Sequence, residues 1–458
     1  MTSVKSVGAE EWMPRALADV VTYIPNQLPD GYDTPNLVGS GSFCTVALVR
    51  AKPHALALLR VQGLCNDDPV LQQRLYAAAA REILATEHLK GKILQCPEMA
   101  GDMILPQSWH FDVSGRLTSI FGSNDMGLCD LFAVMANVRD KNLWCVKNSI
   151  LLHPEDILSC SIQAVNGMRF LHEKNLGHFD LKAENLFVTP QGAVKIGDWG
   201  SLWFLGQSHQ GFLGTASLTP PEYVDLLQDR SATVELAASA DVYSLGSMIS
   251  ALLTGPAPIF VSVHGDPSMP HGEDVVGRLK VLARGGSRSQ KLYRAMVQTW
   301  TSPPHSIKEA AAFKRLSWIV PMMMKPLAQD RPTMAQVMPA LLDGELTLYP
   351  DAREKHMSNV RDLLDRCFGT ETLRKMRIAQ FIGNTEDWCD LTWPIRFTGE
   401  AVKESDHDAR AVFKQRWKMM GQSREQPLLG AKKTLEMAYE CALSEAISTD
   451  EESLVTEL

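Results

Sequence analysis

His178-Phe179-Asp180-Leu181-Lys182-Ala183-Glu184-Asn185 is the stretch that decides the fold, and Asp198-Trp199-Gly200 begins thirteen residues after its last position. The first stretch brings an acid, a lysine and an amide close together, and the second adds a further acid. An aspartate can accept a proton, and carboxylate and amide oxygens are hard ligands that suit Mg²⁺. Both stretches therefore carry residue types that proton transfer and metal binding require.

The two loops resemble the H-R-D-L-x-x-x-N and D-F-G motifs of the eukaryotic-type protein kinase family. The resemblance implies that Asp180 accepts the proton of the acceptor hydroxyl and that Lys182 stabilises the transferring phosphoryl group. It further implies that Asn185 and Asp198 hold Mg²⁺ against the phosphates of ATP. Phe179 replaces the family's arginine, which pairs with a phosphorylated activation loop, so activity is expected not to wait for that phosphorylation.

A glycine-rich turn near the start of the chain resembles the loop that covers the ATP phosphates in this family. Gly39 and Gly41 keep two of its three glycine positions, because a backbone close to phosphate oxygens leaves no room for side chains. Cys44 stands at the third position, and Val46 is expected to pack on the adenine. The same residues would also suit an ordinary hairpin turn between two strands.

A basic residue on a strand and a glutamate on a helix are the other residues expected in the nucleotide site. Ala57 and Arg60 stand on the third strand, where the family has the V-A-I-K lysine, and arginine is not isosteric with lysine. The alternative for Arg60 is a solvated arginine at a strand end. Glu82 is the expected partner of Arg60, and Glu87 on the same helix is a second candidate. The alternative for Glu82 is an ordinary exposed glutamate on a helix.

The region after the second loop resembles the end of a kinase activation segment. Thr215, within Gly214-Thr215-Ala216, is expected near Asp180 and Lys182, where it would help to seat a serine or threonine acceptor. A further pair, Glu222 and Arg331, is expected to form a buried ion pair, because either charge alone would be costly to bury. Asp241 resembles the aspartate that anchors the catalytic loop, but a simple helix cap would also explain it.

The order of predicted elements indicates an α+β, bilobal protein kinase fold with a five-stranded antiparallel N-lobe, one main helix and a mostly helical C-lobe. The expected strands are a hairpin over residues 37–49, Ala55–Val61, Met103–Leu105 and Leu117–Phe121. The expected helices are Leu71–Leu89, Pro154–His172, Asp241–Leu253, Leu316–Met324 and Thr333–Leu342. The expected domains are an N-terminal extension (1–33), an N-lobe (34–122), a C-lobe (123–345) and a C-terminal extension (346–458).

Composition and charge argue against a nucleic-acid-binding, membrane-spanning or disulfide-rich protein. The 458 residues carry a net charge of −8, which gives no indication of a nucleic-acid surface. No apolar run is long enough to predict a membrane span, and no secretory signal is evident at the N-terminus. Nine cysteines are scattered without a C-x-x-C pair, which argues against a disulfide framework and a structural zinc site. A cytoplasmic or nuclear protein is therefore expected.

The C-terminal extension lacks kinase landmarks and could clamp the domain, dock substrates or mediate assembly. Met357, Val360, Leu364 and Phe368 mark one helix, and a second spans residues 435–447. The acidic stretch 448–452 reads first as a solvated tail and second as a site for an acid-directed kinase. Residues 456–458 have the form of a peptide that a PDZ-type domain captures.

Two functional hypotheses follow from these residues. In the first, the chain is a serine/threonine kinase that transfers the γ-phosphoryl group of ATP to a protein hydroxyl. In the second, it is a pseudokinase scaffold or allosteric binding module, with or without nucleotide, which Cys44, Arg60 and Phe179 favour. The complete set around Asp180 and Asp198 favours catalysis, because positioning and charge neutralisation carry this reaction.

Overall fold

The computed structural model divides the chain into two compact units. Unit 1 comprises residues 1–100, 104–126 and 371–458, and unit 2 comprises residues 101–103 and 127–370. The structure describes residues 36–40, 44–51, 55–62, 69–111, 117–121, 129–130, 153–211, 213–229, 231–254, 257–263, 269–302, 310–342, 349–375 and 433–444.

Unit 1 contains an antiparallel sheet of five strands in the order β1-β2-β3-β5-β4. The strands are β1 Asn36–Ser40, β2 Cys44–Ala51, β3 Ala55–Gln62, β4 Ser108–Phe111 and β5 Leu117–Phe121. Ala47 and Val49 are fully buried, two positions apart on β2, as the alternation of side chains along a strand requires. The sheet thus presents an apolar face to the rest of the unit.

Helix α1, Pro69–Gln95, provides the main helix of unit 1. An alanine-rich segment with apolar residues at helical spacing explains both its length and its buried stripe. Tyr76, Ile83 and Leu84 are buried on that stripe. Residues 433–444 form a further helix of the same unit, with Leu435 and Tyr439 fully buried.

Unit 2 is mostly helical and is organised around a helix that is buried along almost its whole length. That helix is α2, Pro154–Glu173, which begins with a proline at its first position, where the missing N–H is harmless. The other helices are α3 Ala238–Thr254, α4 Val275–Arg284, α5 Gly286–Met296, α6 Gln298–Thr301, α7 Ala311–Met323, α8 Met334–Leu342 and α9 Tyr349–Phe368.

Three small sheets in unit 2 position its loops. One has the order β6-β8-β9, with β6 Cys129–Asp130, β8 Leu186–Val188 and β9 Val194–Ile196. A second pairs β7 Leu176–Gly177 with β10 Trp203–Phe204, and a third pairs β11 Ser208–Gln210 with β12 Thr233–Glu235.

Helix α9 packs against α2 and therefore belongs to the core of unit 2. Val360 and Leu364 are fully buried, as the predicted apolar face requires, and Arg366 donates a 2.6 Å hydrogen bond to Asp156 of α2. His356 of α9 also lies within 3.1 Å of the Ser159 hydroxyl. This part of the C-terminal extension is thus built into the folded unit.

The predicted strand Met103–Leu105 is wrong, because residues 97–102 form a 3₁₀-helix and β4 begins only at Ser108. Met103 makes an isolated parallel bridge to Ile196 instead. Pro106 explains the displacement, because it has no N–H to donate and restricts the residue before it. Among the helices that the structure describes, none is long and apolar enough to cross a membrane.

Candidate active site

The loop 178–185 connects β7 to β8, and a buried aspartate of α3 fixes its backbone. Asp241 accepts hydrogen bonds from the backbone N–H of His178 at 2.8 Å and of Phe179 at 2.7 Å. Its side chain is fully buried, and its Oδ2 lies 3.0 Å from the His172 ring. Two bonds to N–H groups more than sixty residues away distinguish Asp241 from a simple helix cap.

Asp180 lies at the centre of a hydrogen-bond cluster formed by the predicted residues of unit 2. Thr215 donates to its Oδ1 at 2.7 Å, and Lys182 donates to its Oδ2 at 2.8 Å. The amide of Asn185 donates to the same Oδ2 at 3.2 Å and to the Asp180 carbonyl at 2.8 Å. A carboxylate offers about four lone-pair sites, so one remains on Oδ1 for a further donor.

Lys182 is held in its charged form by the acids that surround it. Burial opposes the charge, but the hydrogen bond to Asp180 and the negative charges of Asp180, Asp198 and Glu184 outweigh it. The pKa of Lys182 is therefore raised above its ordinary value. The Lys182 ammonium also lies 3.4 Å from the Thr215 hydroxyl, so one cation contacts both the Asp180 carboxylate and the hydroxyl that donates to it.

His178 joins the loop of Asp180 to the loop of Asp198. Its ring is fully buried, with Nδ1 3.2 Å from the backbone nitrogen of Asp180 and Nε2 3.1 Å from the carbonyl of Gly197. These partners assign the proton to Nε2, because a carbonyl can only accept. Gly197 in turn donates its N–H to the Asn185 carbonyl at 3.0 Å. Asp198 follows with a left-handed backbone and an exposed side chain.

Gly214 brings Thr215 against the catalytic loop. It has a φ of +86°, and a Cβ at this position would lie 2.6 Å from the Phe179 carbonyl oxygen. Both facts require glycine here. The Thr215 carbonyl accepts bonds from the N–H of Leu218 at 2.9 Å and from the hydroxyl of Thr219 at 3.0 Å, which close the turn behind it.

The predicted pairing of Glu222 with Arg331 is confirmed and is bidentate, although only the arginine is buried and the Glu222 side chain is 29% exposed. Arg331 donates at 2.6 Å and 2.8 Å to the two carboxylate oxygens of Glu222. It also donates to the carbonyls of Lys325, Pro326 and Ser239 at 2.7–3.0 Å. The buried guanidinium is thus neutralised and fully hydrogen-bonded, which is the condition for such a pair to be tolerated.

In unit 1, Arg60 of β3 forms an ion pair with Glu82 of α1. The side chain of Glu82 is 2% exposed and that of Arg60 is 15% exposed, so Arg60 is not a solvated strand-end arginine. Glu87 pairs instead with Lys90, one turn along α1. Val46 stands opposite Arg60 in the β2–β3 register.

Comparisons with known proteins find similarity to protein kinases. Residues 116–341 match the family model of the protein kinase domain. The chain contains a protein kinase domain. The serine/threonine-protein kinase PTK1/STK1 of Saccharomyces cerevisiae is 23% identical over 287 residues, which cover 56% of this chain and 40% of that kinase.

Two other relatives are also named as serine/threonine-protein kinases. PTK2 of Candida glabrata is 22% identical over a match that covers 57% of this chain and 35% of that kinase. PTK2/STK2 of Saccharomyces cerevisiae is 23% identical, with coverages of 51% and 29%. The chain thus spans 40% or less of the length of these three relatives.

The kinase family implies a bound Mg²⁺. The side-chain oxygens of Asn185 and Asp198 in unit 2 are suitable ligands for it. The two bonds of Asn185 use its amide nitrogen, and no described residue donates a hydrogen bond to its Oδ1. The Asp198 carboxylate is exposed on the adjacent loop. Within the part of the chain that the structure describes, no three acidic, histidine or cysteine side chains form a ready-made metal cluster. Two oxygen ligands suffice for Mg²⁺, which retains waters and substrate oxygens.

The structure brings together Asp180, Lys182, Thr215 and Asn185 in unit 2, and Arg60 and Glu82 in unit 1. The remaining candidates for the nucleotide belong to unit 1. Gly39 is on β1, Val46 on β2 and Ala57 on β3, whereas Gly41 lies outside the described residues.

Sequence reasoning missed the structural roles of two buried residues, His178 and Asp102. In the sequence His178 is only the first letter of its motif, although in the fold it bridges both loops. Asp102, which is buried and accepts a 2.6 Å bond from Asn166, gave no local signal because its partners are distant in sequence. The one sequence signal for these contacts was His178, a histidine two positions before the candidate base Asp180.

Proposed function

We propose that this chain is an active protein serine/threonine kinase that transfers the γ-phosphoryl group of ATP to a protein hydroxyl. The observation that supports the proposal most is the Asp180 cluster, in which Thr215, Lys182 and Asn185 all bond one carboxylate. An acid held in this way is oriented before the substrate arrives. Orientation of this kind lowers the barrier of a transfer that needs little covalent help from the protein.

Each member of the cluster has a distinct task in the proposed reaction. Asp180 orients the acceptor hydroxyl and accepts its proton through the remaining lone-pair site of Oδ1. Lys182, whose pKa is raised, stays charged and stabilises negative charge that develops next to Asp180. Thr215 keeps the carboxylate from rotating and lies where a serine or threonine side chain would enter.

Asn185 and Asp198 are the residues that would hold Mg²⁺, through Oδ1 and the carboxylate respectively. The metal, when bound, neutralises charge on the phosphates of ATP. On the protein side, the His178 ring keeps the two ligand loops at a fixed spacing through its bonds to Asp180 and Gly197.

The second candidate is a pseudokinase, and Arg60 is the observation that favours it. Its guanidinium is paired with a buried glutamate at the position where the family has lysine. A planar fork and a compact ammonium contact phosphates differently. In this reading Arg60 serves the fold of unit 1, and the chain acts by binding partners.

The test is transfer of label from γ-labelled ATP with Mg²⁺ to a mixture of serine- and threonine-containing peptides. Wild type is compared with Asp198→Asn and with the exposed-surface control Asp225→Asn. We expect labelled phosphoserine or phosphothreonine with wild type and the control, and a loss of at least about a hundredfold with Asp198→Asn. Equal label with all three proteins would contradict the kinase proposal.

Thermal shift separates the kinase from a scaffold that binds no nucleotide, even when transfer is weak. A ligand that binds only the folded state raises its stability, by about 2.7 kcal/mol at roughly a hundred times the dissociation constant. We expect ATP with Mg²⁺ to raise the melting temperature of wild type more than ATP alone. A scaffold that binds no nucleotide would show neither increase.

For the surroundings of the kinase, we propose protein substrates and a cytoplasmic or nuclear location. Docking through residues 346–458 is part of this proposal, with one restriction. The buried face of α9 already packs on α2, so a partner would contact its exposed face or the rest of the extension. The acidic stretch 448–452 and the PDZ-type peptide at 456–458 lie outside the described residues.

A further inference from the structure

The activation segment, which we define as residues 198–222, pairs with a strand outside itself. Its strand β11 runs antiparallel to β12, with Ser208 opposite Glu235, His209 opposite Val234 and Gln210 opposite Thr233. Together they form a two-stranded ribbon, called here the β11–β12 ribbon. The segment therefore carries a backbone restraint of its own between Asp198 and Thr215.

Backbone bonds extend the ribbon into the core of unit 2. The N–H of Gly206 donates to the Leu236 carbonyl, and the N–H of Leu236 donates to the Gln207 carbonyl, both at 2.8 Å. Leu236 and Gln207 are buried. This end of the ribbon is thus closed on both strands and shielded from water.

Tyr223 anchors the β12 side of the ribbon. Its hydroxyl donates to the Glu235 carbonyl at 3.1 Å and accepts from the N–H of Ala237 at 2.9 Å. The ring is buried and lines a small cavity together with Asp180 and Thr215. The strand that restrains the activation segment is thus attached next to the place where the acceptor is proposed to enter.

The position of Thr215 depends on what holds this segment. Only residues 211–214 separate β11 from Thr215. Phe179, against which Gly214 packs, is apolar and buried, so it offers no positive charge to a phosphate on the segment. The ribbon supplies a restraint that needs no phosphate.

One face of the ribbon is exposed, and its two β11 residues face partners of different charge. Ser208, Gln210, Thr233 and Glu235 are exposed, and Glu235 is the one charged residue of these four. Directly opposed side chains in an antiparallel pair lie close enough to interact, and like charges there destabilise the pair. A negative charge on Ser208 would face Glu235, whereas one on Gln210 would face the neutral Thr233.

We propose that the β11–β12 ribbon keeps the activation segment in the position that seats Thr215 on Asp180, and that phosphorylation of Ser208 releases it. The inference rests on the proposed kinase function. A second protein kinase would form the bond from Ser208 Oγ to the γ-phosphorus of ATP as ADP departs, and its base would take the hydroxyl proton. The added phosphate carries about −1.5 to −2 charges and repels Glu235. Ser208 is thus an inhibitory modification site.

The experiment compares wild type with Ser208→Glu, with the matched control Gln210→Glu, with Glu235→Lys and with the double variant Ser208→Glu/Glu235→Lys. Amide hydrogen exchange of residues 206–211 and 232–237 is measured by mass spectrometry on the full chain. Label transfer from γ-labelled ATP to the serine/threonine peptide mixture is measured in parallel, before and after phosphatase treatment of wild type.

We expect Ser208→Glu to accelerate exchange in both segments and to reduce label transfer, each about two- to fivefold, as one opposed like-charge pair allows. Gln210→Glu should leave both readouts near wild type, and the double variant should restore them. Phosphatase treatment should not reduce the activity of wild type. Equal effects of the two glutamate substitutions, absence of rescue, or loss of activity after phosphatase would each overturn the proposal.

The two readouts separate failure of this inference from failure of the kinase proposal. If wild type transfers label and every variant matches it, the ribbon does not seat Thr215, although the kinase proposal stands. If no variant and no wild type transfers label, the kinase proposal fails, and the inference that rests on it fails as well.

Discussion

Two arginine–carboxylate pairs, one in each unit, are similarly buried and differ in their surroundings. Arg60–Glu82 joins β3 to α1 in unit 1, and Arg353–Asp102 joins α9 to the segment before β4 in unit 2. In both, the acid is 2% exposed and the arginine is partly exposed, at 15% and 27%. Only the first contains a residue, Arg60, that the sequence predicts on the nucleotide side. Similar burial therefore occurs in a pair with a predicted functional role and in a pair without one.

The C-terminal extension shows the same division. Helix α9 packs on α2 in unit 2, and its Arg353 reaches Asp102, next to Met103, which bridges to Ile196 shortly before Asp198. Helix 433–444 belongs to unit 1, where burial and the nearby charge of Glu87 raise the pKa of Tyr439. The two described helices of the extension thus belong to different units.

Truncation before α9 should have the largest effect, because it removes the helix that supports unit 2 and so separates the two units by their stability. A chain that ends at residue 348 loses α9, whose Val360, Leu363 and Leu364 are buried. Full burial of each such side chain contributes roughly 1.5–3 kcal/mol, and a whole domain is stable by only about 5–15 kcal/mol. We expect this chain to be insoluble or to unfold without a cooperative transition in calorimetry.

A chain that ends at residue 432 is the control for that truncation, because it keeps α9 and loses helix 433–444. It should retain a cooperative transition for unit 2. Indistinguishable melting curves for the two shortened chains would show that α9 does not support unit 2.

Substitution of Arg60 should have the next largest effect on stability. It also tests whether the Arg60–Glu82 pair differs in function from the Arg353–Asp102 pair. Arg60→Met leaves the Glu82 charge buried without its partner, which is expected to lower the free energy of unfolding by about 3–5 kcal/mol. Label transfer should also fall at least about tenfold, because a positive charge expected on the nucleotide side is lost. Arg60→Lys keeps the charge and should retain or raise transfer.

The matched control for Arg60 is Lys90→Met, which breaks the Lys90–Glu87 pair on the same helix α1. That pair is partly solvated, so the change in stability should stay under about 1 kcal/mol. If wild type, Arg60→Lys and Arg60→Met all transferred label equally, Arg60 would have no part in the reaction.

Substitution of Arg353 should weaken unit 2 by a smaller amount, about 1–3 kcal/mol, because Asn166 still bonds Asp102. Burial already raises the pKa of Asp102, and Arg353 and Asn166 oppose that shift. In Arg353→Met the folded pKa should rise further, so Asp102 takes up a proton at higher pH. Relative to wild type, the stability deficit should therefore be largest at neutral pH and should shrink as pH falls through the raised pKa.

Denaturant unfolding between about pH 4 and pH 8 tests this dependence. Arg361→Met is the control, because its partner Glu354 on the same helix is largely exposed. A deficit of Arg353→Met that does not change with pH would contradict the role given to Asp102. The ATP thermal shift should not change in this variant, in contrast to Arg60→Met.

Tyr439→Phe should have the smallest effect. The Tyr439 hydroxyl is buried and has no hydrogen-bond partner among the described residues, so its removal leaves none of them unsatisfied. We expect the melting temperature of unit 1 to stay the same or rise slightly. Tyr439→Ala, which removes the ring as well, should lower stability by about 3–5 kcal/mol. A marked loss in the phenylalanine variant would show that the hydroxyl is bonded.

The sequence predicted that the residues of the loop 178–185 group around Asp180, because they are close together along the chain. Asp180, Lys182 and Asn185 lie within six positions, so their spacing alone indicates a common site. Glu222 and Arg331 are far apart in sequence, but the cost of burying either charge alone linked them. By contrast, the Asp102–Asn166–Arg353 cluster has no local pattern, because its three members come from separate elements that only the folded core brings together.

Strand predictions failed where a proline shifted the strand. Met103–Leu105 is apolar enough to resemble a strand, yet Pro106 moves the paired segment to Ser108–Phe111. The β11–β12 ribbon was not predicted either, because polar and exposed residues such as Ser208 and Glu235 give no hydrophobic alternation.

Single-turnover transfer of label from γ-labelled ATP, measured for wild type and Asp180→Asn together with the thermal shift of each by ATP and Mg²⁺, tests the central claim most directly. The account predicts a similar thermal shift in both proteins and a transfer rate lower by about 10²–10⁴ in Asp180→Asn, because the nucleotide is still bound while the base is lost. Equal rates in the two proteins would contradict the claim that Asp180 carries the reaction.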